Sequence, residues 1–341
     1  MGRVKLWLVL ILVLGDCVTA VAQDYPAQVQ EIYVAYYGRP GDPAGIDFWA
    51  DQLSSNSGNL TAIIDAFGDS AEYAERFGNL SDQDLVNNIY QQLFGRDADP
   101  DGLAFYVDRL QSGESTLASI ALNVADGIQT GTSDADIVNN KLEVAVNFTA
   151  AVDLLGAFYA DDQIEQAFVL VASVDGTASS LQTAVDMTLG IVASFGLADG
   201  RTVQDYFTES VSDSVVQSIC ISCHVEGGLS GHTRIVFVPS TDVDYHAYNF
   251  EQFSALAEEE DDASEYVLSK IQGVAHGGGV QATAGSAAYD AMAGLMALLT
   301  GEAGSSGAGD LFEGLTVSQN SQLLRRATLL IAGKLPQDEI E

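Results

Sequence analysis

The segment IYVAYYGRPGDPAGIDFWADQL (residues 32–53) returns 57 residues later as IYQQLFGRDADPDGLAFYVDRL (89–110), without a gap and with 10 of 22 positions identical. A repeat of this kind confines the fold to units that can stack on copies of themselves. In each copy an apolar stretch runs to a glycine (Gly38, Gly95). Arginine follows (Arg39, Arg96), then an Asp-Pro pair (Asp42-Pro43, Asp99-Pro100) and a second amphipathic stretch. Glycine ends a helix by entering left-handed backbone space, and aspartate before proline caps the start of the next. The spacing of Ile32, Tyr36 and Tyr37, and of Phe48, Trp49 and Leu53, predicts an apolar packing face on each helix. The expectation is an all-α fold of stacked helix pairs.

These repeated words resemble the domain of unknown function DUF4214, as does NNKLEVAVNFT (139–149) with the segment that follows the family's repeats. The resemblance spans about residues 25–195. It implies an exported helical module with no established chemistry, suited to association with the cell surface or extracellular matrix. Within the second copy, Asp97, Asp99, Asp101 and Asp108 mimic a calcium loop. The first copy lacks those acids, whereas turn and capping chemistry accounts for both copies, so calcium is not expected.

The first residues, MGRVKLWLVLILVLGDCVTAVAQ, place Arg3 and Lys5 before an apolar run that ends in small residues. That is the layout of a secretory signal cleaved after Ala22, with lipoprotein processing at Cys17 as the alternative. Lysine and arginine number 13 against 48 aspartates and glutamates, a net charge of −35. Loss of residues 1–22 removes Arg3, Lys5 and Asp16 and leaves −36, since −35 − 1 = −36. Such acidity excludes nucleic acid as a partner and suits a soluble exported protein.

The mature chain would keep two cysteines, and they stand in SICISCH as Cys220 and Cys223, directly before His224. In C-x-x-C-H two thiols one turn apart can form thioethers to haem vinyl groups while the histidine binds the iron. An apolar stripe of Val211, Val215, Val216 and Ile219 precedes the motif, as packing against a porphyrin requires. Zinc would want two further ligands, a thioredoxin-type pair would want a preceding strand, and two structural cysteines remain the plain reading. The stretches CISCHVEGGLSGHTR and KIQGVAHGGGVQATAGSAAYDAM resemble monohaem cytochrome c domains of the planctomycete type, over about residues 205–300. Cys220, Cys223 and His224 match that family's attachment motif.

The resemblance implies a sixth iron ligand from a loop ahead of a closing helix, expected from Ser286 (N-cap) to Thr300 with Gly301 as its stop. That loop holds His276 and no methionine, so His224 and His276 are the expected iron ligands. Met292 and Met296 read as helix core, His246 as the alternative ligand, and His232 as exposed. Arg234 reads as a surface arginine or a propionate partner, and EEEDD (258–262) as a solvated loop.

The chain thus divides into a signal peptide (1–22), a DUF4214-like helical repeat module (25–195), a cytochrome c-like domain (203–301) and a C-terminal helix (311–341), which could open a further domain. Gly196–Thr202 reads as a linker. The expected protein is a periplasmic or cell-surface electron carrier with one covalent haem c, not an enzyme, working with a redox partner protein. The alternatives are the haem-bearing part of a larger secreted enzyme and a haem-based sensor of small ligands.

Overall fold

The computed structural model describes residues 24–160, 162–260 and 262–301. The expected signal peptide, Cys17 and the C-terminal helix lie outside the described residues. Those described are all-helical, with two isolated β-bridges and no strand. No helix among them is long and apolar enough to cross a membrane.

The two copies of the repeat fold alike. Helix α1 (Tyr25–Tyr37) ends at Gly38 with φ 70°, and α5 (Asp82–Phe94) ends at Gly95 with φ 68°. Helix α2 (Pro43–Ser55) is capped by Asp42, which accepts from the Gly45 amide at 2.7 Å; α6 (Pro100–Ser112) is capped by Asp99 on the Gly102 amide at 2.8 Å. Both aspartates are therefore engaged in the turn role expected of them. The helices α3 (Thr61–Gly68) and α7 (Leu117–Asp126) complete the correspondence, and α1 packs directly on α5. Ile32, Tyr36, Tyr37 and Leu53 are buried as the spacing predicts, but Phe48 is 55% exposed. Trp49 takes the inward position beside it, packing edge-on against Phe67.

The repeated arginine does the same job in two environments. Arg39 makes a bidentate pair with Glu72, in the first turn of α4 (Ala71–Phe77), at 2.7 and 2.6 Å. Arg96 reaches Asp134, in the first turn of α8 (Ser133–Leu155), at 2.6 Å. Arg39 is buried between the Tyr33 and Tyr37 rings, whereas the Arg96 side chain is 48% exposed. Burial alone would raise the Glu72 carboxyl, but the hydrogen bond from Arg39 overrides it and holds the group below the usual carboxylate range. The stabilisation from Glu72 is therefore complete above its unfolded pKa and lost as pH falls through the lower folded value. We expect Arg39→Met to cost about 1.5–3 kcal/mol, because it removes the bidentate pair and leaves Glu72 only the 3.3 Å bond from Arg76. Arg96→Met should cost under about 1 kcal/mol. Chemical denaturation of the two variants at neutral pH checks the contrast.

Helix α8 also carries Lys141, which is 1% exposed and donates to the Gln92 carbonyl at 2.5 Å. Burial lowers its pKa from 10.5 to about 8. Between those values the unfolded chain binds the extra proton, so stability rises with pH across that window. Below pH 8 the full penalty applies, on the order of 3 kcal/mol. Lys141→Met should therefore raise the melting temperature at pH 7, and its advantage should shrink by about pH 9.5.

Helices α9 (Asp162–Ala172) and α10 (Ala178–Ser194) follow, α10 lying along α8. The connection at Gly196–Thr202 is tied down at several points. Phe158 and Ala198 amides bond the Gly196 and Gly156 carbonyls at 2.9 and 2.8 Å. The Arg201 guanidinium bonds the Leu155 and Gly156 carbonyls at the end of α8 and Glu209 beyond. Helix α11 (Val203–Tyr206) then runs on as π-type turns over Phe207–Gln217. Helices α12 (Tyr245–Glu259), α13 (Ala263–Ile271) and α14 (Ala287–Thr300) close the second part. Ser286 caps α14 and Gly301, at φ 71°, ends it, as expected. Helix α14 packs on α8 and α10, with Gly294 against Leu155, so the two parts share one core.

Candidate functional site

Val211, Val215 and Val216 are buried on the π-type turns, and Ile219 sits half-buried beyond them. They lead the chain into a single tight turn over Cys220–Ser222, where the Cys223 and His224 amides both bond the Cys220 carbonyl, at 3.3 and 3.0 Å. Cys220, Cys223 and His224 thereby face one cleft of about 300 Å³. Both thiols are free. Burial pushes the Cys220 thiol up to about 11, the opposite of an activated redox cysteine.

The far side of the cleft comes from α13, α14 and the loop between them: Tyr266, Val267, Lys270, Ile271, His276 and Met292, with Phe237 and Phe253 beneath. The sequence places His276 52 residues after His224, and the fold brings the two rings together. Their centroids are 6.0 Å apart and their planes differ by 14°. The two rings are therefore close to parallel, at a centroid separation typical of offset ring pairs.

Each imidazole is oriented through Nδ1. His224 Nδ1 lies 3.0 Å from the Ile235 carbonyl and His276 Nδ1 lies 3.1 Å from the Gly279 carbonyl. A ring nitrogen that bonds a carbonyl carries the proton, which leaves Nε2 of both rings as a lone-pair donor. The loop that supplies Ile235 is itself anchored. Buried Asn249 on α12 bonds both the amide and the carbonyl of Val238, and the Phe237 amide bonds the His224 carbonyl at 2.7 Å. Gly231 is needed there, since a Cβ would stand 2.4 Å from the Val225 carbonyl oxygen.

Other sequence candidates fall elsewhere. His246 is outside the cleft and bonds Ser212 Oγ at 2.8 Å, and His232 is exposed. Met292 and Met296 are buried in α14 as expected, but Met292 also lines the cleft. Arg234 stands at the cleft rim and pairs with Glu259 at 3.2 Å and with Glu260, so part of the EEEDD run is the last turn of α12. Among the described residues no three His, Cys, Asp or Glu side chains converge as a metal cage. The roles of Ile235, Gly279 and Asn249 had no signature in the sequence, because two act through backbone carbonyls and the third through a loop 11 residues away.

Two overlapping stretches, residues 23–77 and 64–128, match the family described as domain of unknown function (DUF4214). The matched residues cover α1 through α7, and the 139–149 segment of α8 lies beyond them. No curated protein and no solved structure matches the chain.

Proposed function

We propose that this protein is an exported monohaem c-type cytochrome that carries electrons. In this reading Cys220 and Cys223 hold haem c through thioethers, His224 is the proximal iron ligand, and His276 is the distal one. The observation that carries it is the parallel imidazole pair in the cleft that also holds both cysteines. Both rings line that cleft, so a ring nitrogen of each would be available to hold the iron.

When bound, the haem would supply one-electron cycling between ferrous and ferric iron. The chain's own residues provide the rest. Ile219, Phe237, Phe253, Val267 and Ile271 give the cleft an apolar wall that keeps water from the ring faces. The Ile235 and Gly279 carbonyls fix both imidazole tautomers and raise their basicity as ligands. The rim guanidinium of Arg234 is already shared with Glu259 and Glu260, so it is less available to a propionate than a free arginine. Secretion, suggested by residues 1–22, supports the reading because covalent attachment of this kind belongs to exported proteins.

Expression with a secretion signal in a host that matures c-type cytochromes tests the proposal. The product should retain haem through a denaturing gel and give a c-type pyridine haemochrome at one haem per chain. Protein that matures fully and carries no covalent haem would overturn it. A six-coordinate spectrum would favour electron transfer, and an open sixth position would favour a sensor or an enzyme subunit.

A further inference from the structure

We infer that Lys270 is a positioning residue that holds His276 in place, an inference that rests on reading His276 as an iron ligand. Lys270 lies in the last turn of α13 and lines the cleft. Its Nζ donates to the Val274 carbonyl at 3.4 Å and to the Ala275 carbonyl at 3.0 Å, and stands 5.4 Å from the centre of the Tyr266 ring. In a chain with 48 acidic residues, this ammonium is aimed at two backbone carbonyls and a ring face.

The two carbonyls belong to the peptide units on either side of the Ala275 Cα. Pinning both fixes φ and ψ of Ala275, and Ala275 is where the loop is strained. Its φ is +48°, left-handed space that a residue with a Cβ avoids. The second pinned peptide unit leads directly into His276. Gly273, at φ +92°, lets the loop pass so close that a Cβ there would meet the Val280 amide nitrogen at 2.9 Å. The Gln281 amide bonds the Ile271 carbonyl at 2.8 Å and closes the loop at its base. Between that closure and the ring, the Lys270 clamp opposes relaxation of Ala275 together with the Val274 amide bond to the Ser269 carbonyl at 2.9 Å and a long His276 amide bond to the Gly273 carbonyl at 3.4 Å. A charged donor is the stronger choice for the task, and the adjacent ring face stabilises the ammonium.

The test compares wild-type holoprotein with Lys270→Met and Lys270→Arg. The first readout is the rate at which cyanide binds the ferric protein, a step limited by release of His276. Lys270→Met should bind cyanide about tenfold faster or more, with high-spin character growing in the oxidised spectrum, and Lys270→Arg should return toward the wild-type rate. The second readout is hydrogen exchange at residues 273–281, which Lys270→Met should accelerate. Unchanged cyanide binding and unchanged exchange in Lys270→Met would overturn the inference. So would a shifted reduction potential at an unchanged cyanide rate, the result expected of a lysine that serves a propionate. Wild-type protein that carries no haem, or is already high-spin, would instead sink the reading of the site; loop exchange would still judge the clamp.

Discussion

The Cys220→Ser, Cys223→Ser double variant should lose all covalent haem, going from one haem per chain to none on a denaturing gel. The two thiols line one cleft with His224, held by a single turn in which the Cys223 and His224 amides share the Cys220 carbonyl. Serine hydroxyls are nearly isosteric and leave that turn intact, so the fold should survive while thioether formation becomes impossible. Cys220 is half-buried in apolar surroundings that raise its pKa to about 11, which makes a purely structural thiol the competing explanation. The two explanations part cleanly. Structural thiols would give a double variant with lower stability, no haem lost, and no haem in the parent. Circular dichroism alongside the haem stain separates loss of attachment from loss of fold. Retention of haem by the double variant would rule out the assignment.

His276→Ala should convert the oxidised protein from a six-coordinate low-spin spectrum to a high-spin or water-ligated one that binds added imidazole. Met292→Leu should leave the spectrum unchanged. The contrast matters because both side chains line the cleft. His276 presents a ring whose Nδ1 is held by the Gly279 carbonyl, on a loop that closes over the cleft. Met292 is 1% exposed within the middle of α14, packed as core, where leucine replaces it at a cost of under about 1.5 kcal/mol. Imidazole favours ferric iron more than thioether sulfur does, so the parent's potential should lie below that of a His/Met cytochrome. A Met292→Leu protein that opens the iron to imidazole, beside an unaffected His276→Ala, would move the ligand to α14.

Much of the helical architecture was legible because its signals are local. A capping aspartate bonds an amide three residues away, and a terminal glycine needs only its own φ. Asp42, Asp99, Gly38, Gly95, Ser286 and Gly301 therefore stand where the sequence puts them. The C-x-x-C-H turn is equally local, spanning one carbonyl and two amides. Packing across the molecule follows from which faces meet, and no short word records that. The same repeated arginine lies against two aromatic rings in each copy, yet it is buried at Arg39, where Tyr159 from beyond the repeats also packs, and half-exposed at Arg96. Phe48 faces outward because Trp49 has taken the inward position. The Gly196–Thr202 connection looked like a loose tether by composition, yet Arg201 binds it to carbonyls 45 and 46 residues back. At the site, local chemistry names Cys220, Cys223 and His224. The placing of His276 parallel to His224, of Met292 in the same cleft, and of Lys270 beneath Ala275 depends on α13 and α14 packing against the turns that carry the motif. Those contacts join residues tens of positions apart, where only the close-packed core selects the partner.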